Sequence, residues 1–197
     1  MLNIKFLYIL IILFVLGLST FIFFKNINFN SKYEVGQLID SFNGVSVYYN
    51  GGVNQVQGRN ISKDGYNIGL KYQCVEFVKR YYYEYLNHKM PDSYGHAKDF
   101  FNKTLKDGEL NTQRDLIQYK NFSNHTPKIN DLLIFKGSIF NRFGHVAIIS
   151  KVKKSYIEII QQNPEPYGTS RKKIPLKITN SKYEISNKRV VGWLRKK

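Results

Sequence analysis

The chain has 197 residues, 43% hydrophobic and 15% aromatic, with 30 Lys and Arg against 14 Asp and Glu for a formal net charge of +16. That length fits one domain plus a tail or anchor, and the apolar content excludes a disordered chain. A single cysteine excludes an internal disulfide, and the four scattered histidines (His88, His96, His125, His145) offer no zinc-ligand spacing, so no metal or other cofactor is expected. The basic residues are spread along the chain without an arginine-rich run or a nucleic-acid motif. Anionic lipid or an anionic cell-envelope polymer explains the charge as well as nucleic acid does, and composition does not choose among them; no nucleic-acid partner is expected of the chain.

Taken in order, the chain opens with an apolar run from Phe6 to Phe24 that contains no charge and is about the length needed to cross a bilayer as a helix. Its length and its bulky end (Phe21, Ile22, Phe23, Phe24) favour an uncleaved signal anchor over a cleaved signal peptide. Positions 1–25 are read as the transmembrane anchor, 26–35 as a polar linker and 36–197 as the globular domain. A short N-tail followed by one long domain predicts a single-pass protein of the bacterial cytoplasmic (inner) membrane, with its domain outside the cell interior.

Val45 to Tyr49 has strand composition and ends in the turn signal Asn50-Gly51-Gly52. The polar, glycine-rich segment Gly51 to Gly69 reads as a surface loop. A helix is predicted from Tyr72 to Asn87, where Cys74, Phe77, Val78, Tyr81 and Tyr85 share one face. A second, shorter helix is predicted over Ala97 to Leu105, and Leu110 to Ser123 is ambiguous. Strands follow at Asp131–Phe135, His145–Ser150, Tyr156–Asn163, Ile174–Ile178 and Val190–Leu194. Helices followed by a run of strands predict an α+β fold with an antiparallel sheet.

Cys74 falls in the first turn of its helix, where free N–H groups and the helix dipole favour a thiolate. His145 opens a strand directly after Gly144. Pairing Ser150 with Tyr156 places Gln161 opposite His145, and sliding the pairing by two residues places Asn163 there. Either register puts His145 on one face with both amides. A thiol needs a base, and an imidazole needs a third group that fixes its tautomer. A thiolate–imidazolium pair at a helix start can lower the thiol pKa far below its free value of ~8.5.

The segments Gln73-Cys74-Val75-Glu76-Phe77, Asp131-Leu132-Leu133-Ile134-Phe135, Gly144-His145-Val146-Ala147-Ile148-Ile149, Gln162-Asn163 and Gly192-Trp193 resemble a CHAP domain, a cysteine, histidine-dependent amidohydrolase/peptidase. Within that group the likeness is greatest to the amidase half of glutathionylspermidine synthetase/amidases, and it covers roughly residues 36 to 195. The resemblance implies a papain-like (NlpC/P60-type) fold and amide hydrolysis through a thioester. It implies Cys74 as nucleophile, His145 as base, Gln161 and Asn163 as groups that orient the imidazole, and Gln73 with the Cys74 N–H as oxyanion hole. Gln161 stands where those amidases carry Glu, and Lys79 stands where they carry a substrate-contacting Arg. Three functions are carried forward: a membrane-anchored amidase or endopeptidase acting on peptidoglycan peptides, a glutathionylspermidine-type amidase acting on a small amide, and a catalytically weak CHAP-like binding module.

Overall fold

A computed structural model describes residues 4–28, 30–52, 54–139, 141–164 and 167–197. Positions 1–3 of the expected anchor, Phe29 of the expected linker and Pro166 after the predicted fourth strand lie outside the described residues.

Helix α1 (Ile4–Asn26) is the apolar run, and its span Ile4–Phe23 is long and apolar enough to cross a membrane. The segment after it lies on the domain. Ile27 O accepts from Gln55 Nε2 (2.9 Å), Asn28 Oδ1 accepts from Tyr49 Oη (2.8 Å), and the Tyr33 ring packs on Tyr49. Strands β1 (Leu38–Phe42) and β2 (Val45–Tyr48) form a hairpin, and β3 (Arg59–Ile61) and β4 (Asn67–Leu70) form a second. This second hairpin lies inside the stretch predicted as loop. Its strands are only three and four residues long and polar enough to escape a hydrophobic-period reading.

Helix α2 (Cys74–Glu84) is shorter than predicted. Phe77, Val78 and Tyr81 are buried as their spacing requires, and Tyr82 joins them. Tyr85 lies past the helix end and is exposed. The second predicted helix reduces to one 3-10 turn, Ala97–Phe100. The plural helices expected to cover the sheet are therefore one α-helix and this turn.

The ambiguous stretch forms β5 (Glu109–Asn111) and β6 (Leu116–Lys120). Then come β7 (Leu132–Phe135), β8 (His145–Val152), β9 (Tyr156–Ile160), β10 (Arg171–Thr179), β11 (Lys182–Ile185) and β12 (Val190–Arg195). Among the described residues β5–β12 make one sheet, ordered β11-β10-β9-β8-β7-β12-β6-β5, with every pairing antiparallel. Past β6, Ser123 bridges to Tyr183 of β11, so the sheet curls back on itself. The chain is thus mixed α/β with antiparallel sheets and one apolar N-terminal helix.

The curl explains why β7 is apolar throughout. Leu132 and Ile134 meet α2's core, together with Val146 and Ile148, whereas Leu133 and Phe135 meet a second core built around Trp193, Ile149 and Ile174. A strand buried on both faces reads as a continuous hydrophobic run.

Two glycines set the positions of the candidate residues. Gly69 (φ 140°) lies under α2, where an added Cβ would come within 3.1 Å of the Glu76 Cα. Gly144 (φ 78°) precedes His145, where a Cβ would meet the Phe135 carbonyl oxygen at 2.6 Å and the Lys98 nitrogen at 3.0 Å. Both contacts are with backbone, which cannot swing aside. Gly144→Ala is accordingly expected to cost about 1–3 kcal/mol from the left-handed backbone and the overpacking together. Denaturant unfolding measures this, and an unchanged midpoint would contradict the close approach of β7 to this turn.

Candidate active site

Cys74 is the first residue of α2, preceded by Gln73 in an extended conformation and Tyr72 at φ 64°. This sharp entry leaves the first N–H groups of the helix without intrahelical partners. The sulfur takes up some of that capacity, lying against the N–H groups of Val146, Val75 and its own residue. The contact with Val146 is possible because β9 ends at Ile160, so the position that would pair with Val146 lies beyond the strand. Helix α2 inserts its start there and packs on β8.

His145 begins β8 and is buried, with its ring near Phe135. Its Nε2 lies 3.0 Å from Gln161 Oε1, and Gln161 Nε2 donates to Thr169 O at 2.9 Å. That second bond turns the amide oxygen toward the imidazole. It therefore assigns the ring proton to Nε2 and leaves Nδ1 as the basic nitrogen. Nδ1 is buried without a hydrogen-bond partner among the described residues.

Side-chain alternation places Val146 on the α2 side with Cys74, and His145 on the side of Gln161. The thiol and the imidazole thus come to the same end of β8 from its two sides.

The register carries a surprise. Near His145 the pairs are Ile148–Ile160 and Ile149–Ile159, the register that puts Asn163 level with His145. Toward the turn the pairs become Lys151–Glu158 and Val152–Ile157, displaced by one residue through a bulge at Ser150. Without that bulge the turn's register would have carried the amides to the opposite face from His145.

Asn163 adopts φ 53° and donates through Nδ2 to Gln73 Oε1 (2.7 Å). Gln73 Nε2 donates to Gln55 O (2.6 Å). Lys79 sits differently from the expectation of a substrate contact. It is buried, and its ammonium donates to Asn67 O and, at 2.8 Å, to Ser93 O. It holds the backbone behind the cleft wall, since Ser93 lines the cleft and Lys79 does not.

Sequence reasoning missed the connecting network. Glu76 is buried and accepts from Arg80 Nε (2.6 Å), Asn60 Nδ2 (2.8 Å) and Gln162 Nε2 (2.8 Å). Gln162 also donates to Gln73 O (3.0 Å) and accepts from Tyr48 N (2.8 Å). The only signal was the presence of both Glu76 and Gln162 in the quoted motifs, and nothing local paired them. The role of Gln55 had no sequence signal.

A cleft of about 1120 Å³ runs over Cys74, Gln73, Gly144 and Asn163, which is room for an extended peptide or a small amide. The charge state inside it departs from the expected thiolate. Burial pushes the Cys74 thiol up to about 11, against the pull of the surrounding N–H groups. Burial likewise lowers His145 to about 4, opposed by the Gln161 hydrogen bond and helped by the cations Arg189 and Lys172. Both groups are neutral at rest, because desolvating a charge costs more than the helix start returns.

The family model described as CHAP domain matches residues 63–163 of this chain. Over 100 residues the chain is 33% identical to the trypanothione synthetase of Crithidia fasciculata, covering 51% of this chain and 15% of that protein. It is 29% identical over 139 residues to the bifunctional glutathionylspermidine synthetase/amidase of Escherichia coli (64% and 22%). It is 30% identical over 97 residues to endolysin PlyTW of Staphylococcus phage Twort (49% and 16%). The chain therefore spans under a quarter of the length of each of these relatives.

The imidazole supplies a pH test. Its ordinary pKa of 6.5 falls to about 4 on folding, so within that window the unfolded chain binds a proton that the folded chain refuses. The stability contribution is complete above 6.5 and is lost as pH falls toward 4. The melting temperature of His145→Gln is expected to fall less steeply across this window than that of the parent. Parallel slopes would mean that the ring is solvated.

Proposed function

Because the chain belongs to the CHAP domain family, we propose that it is a membrane-anchored cysteine amidase or endopeptidase that cleaves an amide bond of peptidoglycan peptides. The observation that carries this reading is the buried, unpartnered Nδ1 of His145 at the end of β8 where the Cys74 sulfur rests on the Val146 N–H. In this reading the fold is papain-like. Positions 1–25 are the anchor, 26–35 join it to the domain, and 36–197 are the catalytic unit, facing outward from the bacterial cytoplasmic membrane.

The reaction follows from the roles. As substrate enters the cleft, Nδ1 takes the thiol proton and the sulfur attacks the carbonyl carbon. Negative charge develops on the carbonyl oxygen, and the N–H of Cys74 with the side-chain amide of Gln73 stabilises it. The imidazolium returns its proton to the leaving amine, leaving a thioester on Cys74. Water, deprotonated by the same nitrogen, then releases the acid. Gln161 holds the ring tautomer, Asn163 holds Gln73, and Lys79 holds the cleft wall at Ser93.

The match to the phage endolysin and the apolar N-terminal helix favour an envelope substrate. The match to a glutathionylspermidine synthetase/amidase supports a second reading, hydrolysis of a small polyamine amide. Incubating the detergent-solubilised full chain with purified peptidoglycan and, separately, with glutathionylspermidine separates them by the products seen in mass spectrometry. Release from neither substrate would favour a binding module.

Cys74→Ala is expected to abolish product release while leaving the thermal melt unchanged, and residual hydrolysis in that variant would rule out the thioester route. Gln161→Glu places a carboxylate against Nε2. It should raise the imidazole pKa and speed Cys74 alkylation near neutral pH by roughly tenfold, the rate factor of one pKa unit of charge stabilisation. An unchanged alkylation rate would detach Gln161 from the pair.

A further inference from the structure

The mouth of the cleft carries apolar side chains that the fold leaves uncovered. Ile139 is 97% exposed, Tyr94 66% and Val56 57%. They come from three separate loops, yet all three line the one cleft, together with the cations Arg59 and Arg142. Large aliphatic groups this exposed, gathered from unconnected loops around one opening, mark a surface that meets something apolar.

The position of α1 says what that is. Phe21, near the end of the apolar helix, lines the same cleft. The chain leaves the helix at the cleft's edge, where Gln55 Nε2 holds Ile27 O. A bilayer that contains Ile4–Phe23 has its surface at the level of this exit. The cleft mouth shares that level, since Phe21 forms part of its wall. Aliphatic and aromatic tips beside arginines are the composition of a surface that settles at the headgroup–acyl boundary. The net charge of +16 draws such a surface to anionic lipid.

We propose that the rim of the cleft is a lipid-docking surface, with Ile139 and Val56 entering the headgroup–acyl boundary of an anionic bilayer and Arg59 and Arg142 meeting its phosphates. The proposal rests on reading α1 as a membrane span, and it goes further, because an anchored domain on a free tether need not touch lipid at all.

The test uses the full chain carrying Cys74→Ala and one added cysteine, at Ile139, Val56 or Ile178, labelled with an environment-sensitive fluorophore. Ile178 is exposed and lies near the far end of β10, beyond the β8–β9 turn and thus away from the His145 end of the sheet. Each protein is reconstituted into vesicles of phosphatidylcholine and phosphatidylglycerol that carry a nitroxide high on one acyl chain. The expected result is a several-fold loss of emission at 139 and 56, little at 178, and a smaller loss in phosphatidylcholine alone. If the chain floats with the vesicles but all three probes are quenched alike, lipid docking is overturned and the anchor stands. If the chain does not float, the anchor reading fails first. Equal quenching with and without phosphatidylglycerol would overturn the anionic part of the proposal.

Discussion

The geometry of the site depends on one buried side chain, the amide of Gln162. Its oxygen accepts from the Tyr48 N–H, and its nitrogen donates to the Gln73 carbonyl and to Glu76. Three segments distant in sequence, the β2 strand, the start of α2 and the end of β9, are thereby tied at one point. A buried amide left with an unmatched donor costs about 1–3 kcal/mol per group, so each of the three segments is held to the others by that penalty. The Cys74 sulfur and the His145 ring inherit their separation from this knot, since one belongs to α2 and the other is bonded to the residue just before Gln162.

The charge balance follows the same confinement. The buried Glu76 side chain accepts hydrogen bonds from Arg80, Asn60 and Gln162. His145 has no such support. Its neighbours are a neutral amide and the cations Arg189 and Lys172, which oppose a second positive charge. A neutral third residue therefore suits a ring that the fold keeps neutral at rest. Under the proposed mechanism, ionisation of the two groups waits for substrate dipoles to enter the cleft, and apo sites often tighten their hydrogen bonds only then.

Much of this was legible in the residues. The helix at Cys74 was marked by a four-residue apolar spacing, and β7 and β8 by unbroken hydrophobic runs. The shared face of His145 and Gln161 was marked by strand parity. The bulge at Ser150 was not legible, because one extra residue in a strand changes no composition and is felt only in pairing. The second helix failed for a related reason. Ala97–Phe100 has a helical start, with His96 and Asp99 closing a capping box, but Phe101 turns to an extended conformation at once. The hairpin of β3 and β4 exists through its contact with α2 and not through its own polar sequence. Tertiary context supplied what local pattern lacked.

The same argument bears on the segment after α1. Read as a sequence, positions 26–35 are polar and look like a tether. In the fold, Ile27 O is held by Gln55, the Gln55 carbonyl holds Gln73, and Gln73 is held in turn by Asn163. One chain of hydrogen bonds thus runs from the exit of the apolar helix to the residue before Cys74. A tether obeys loop entropy and leaves its two ends independent. A bonded chain restrains them, although the Gln55 backbone that receives Gln73 is also held by Gly52 O and by Asn50 Nδ2. The exit of the N-terminal helix and the residue before Cys74 therefore meet on one residue, Gln55, through its side chain and its backbone.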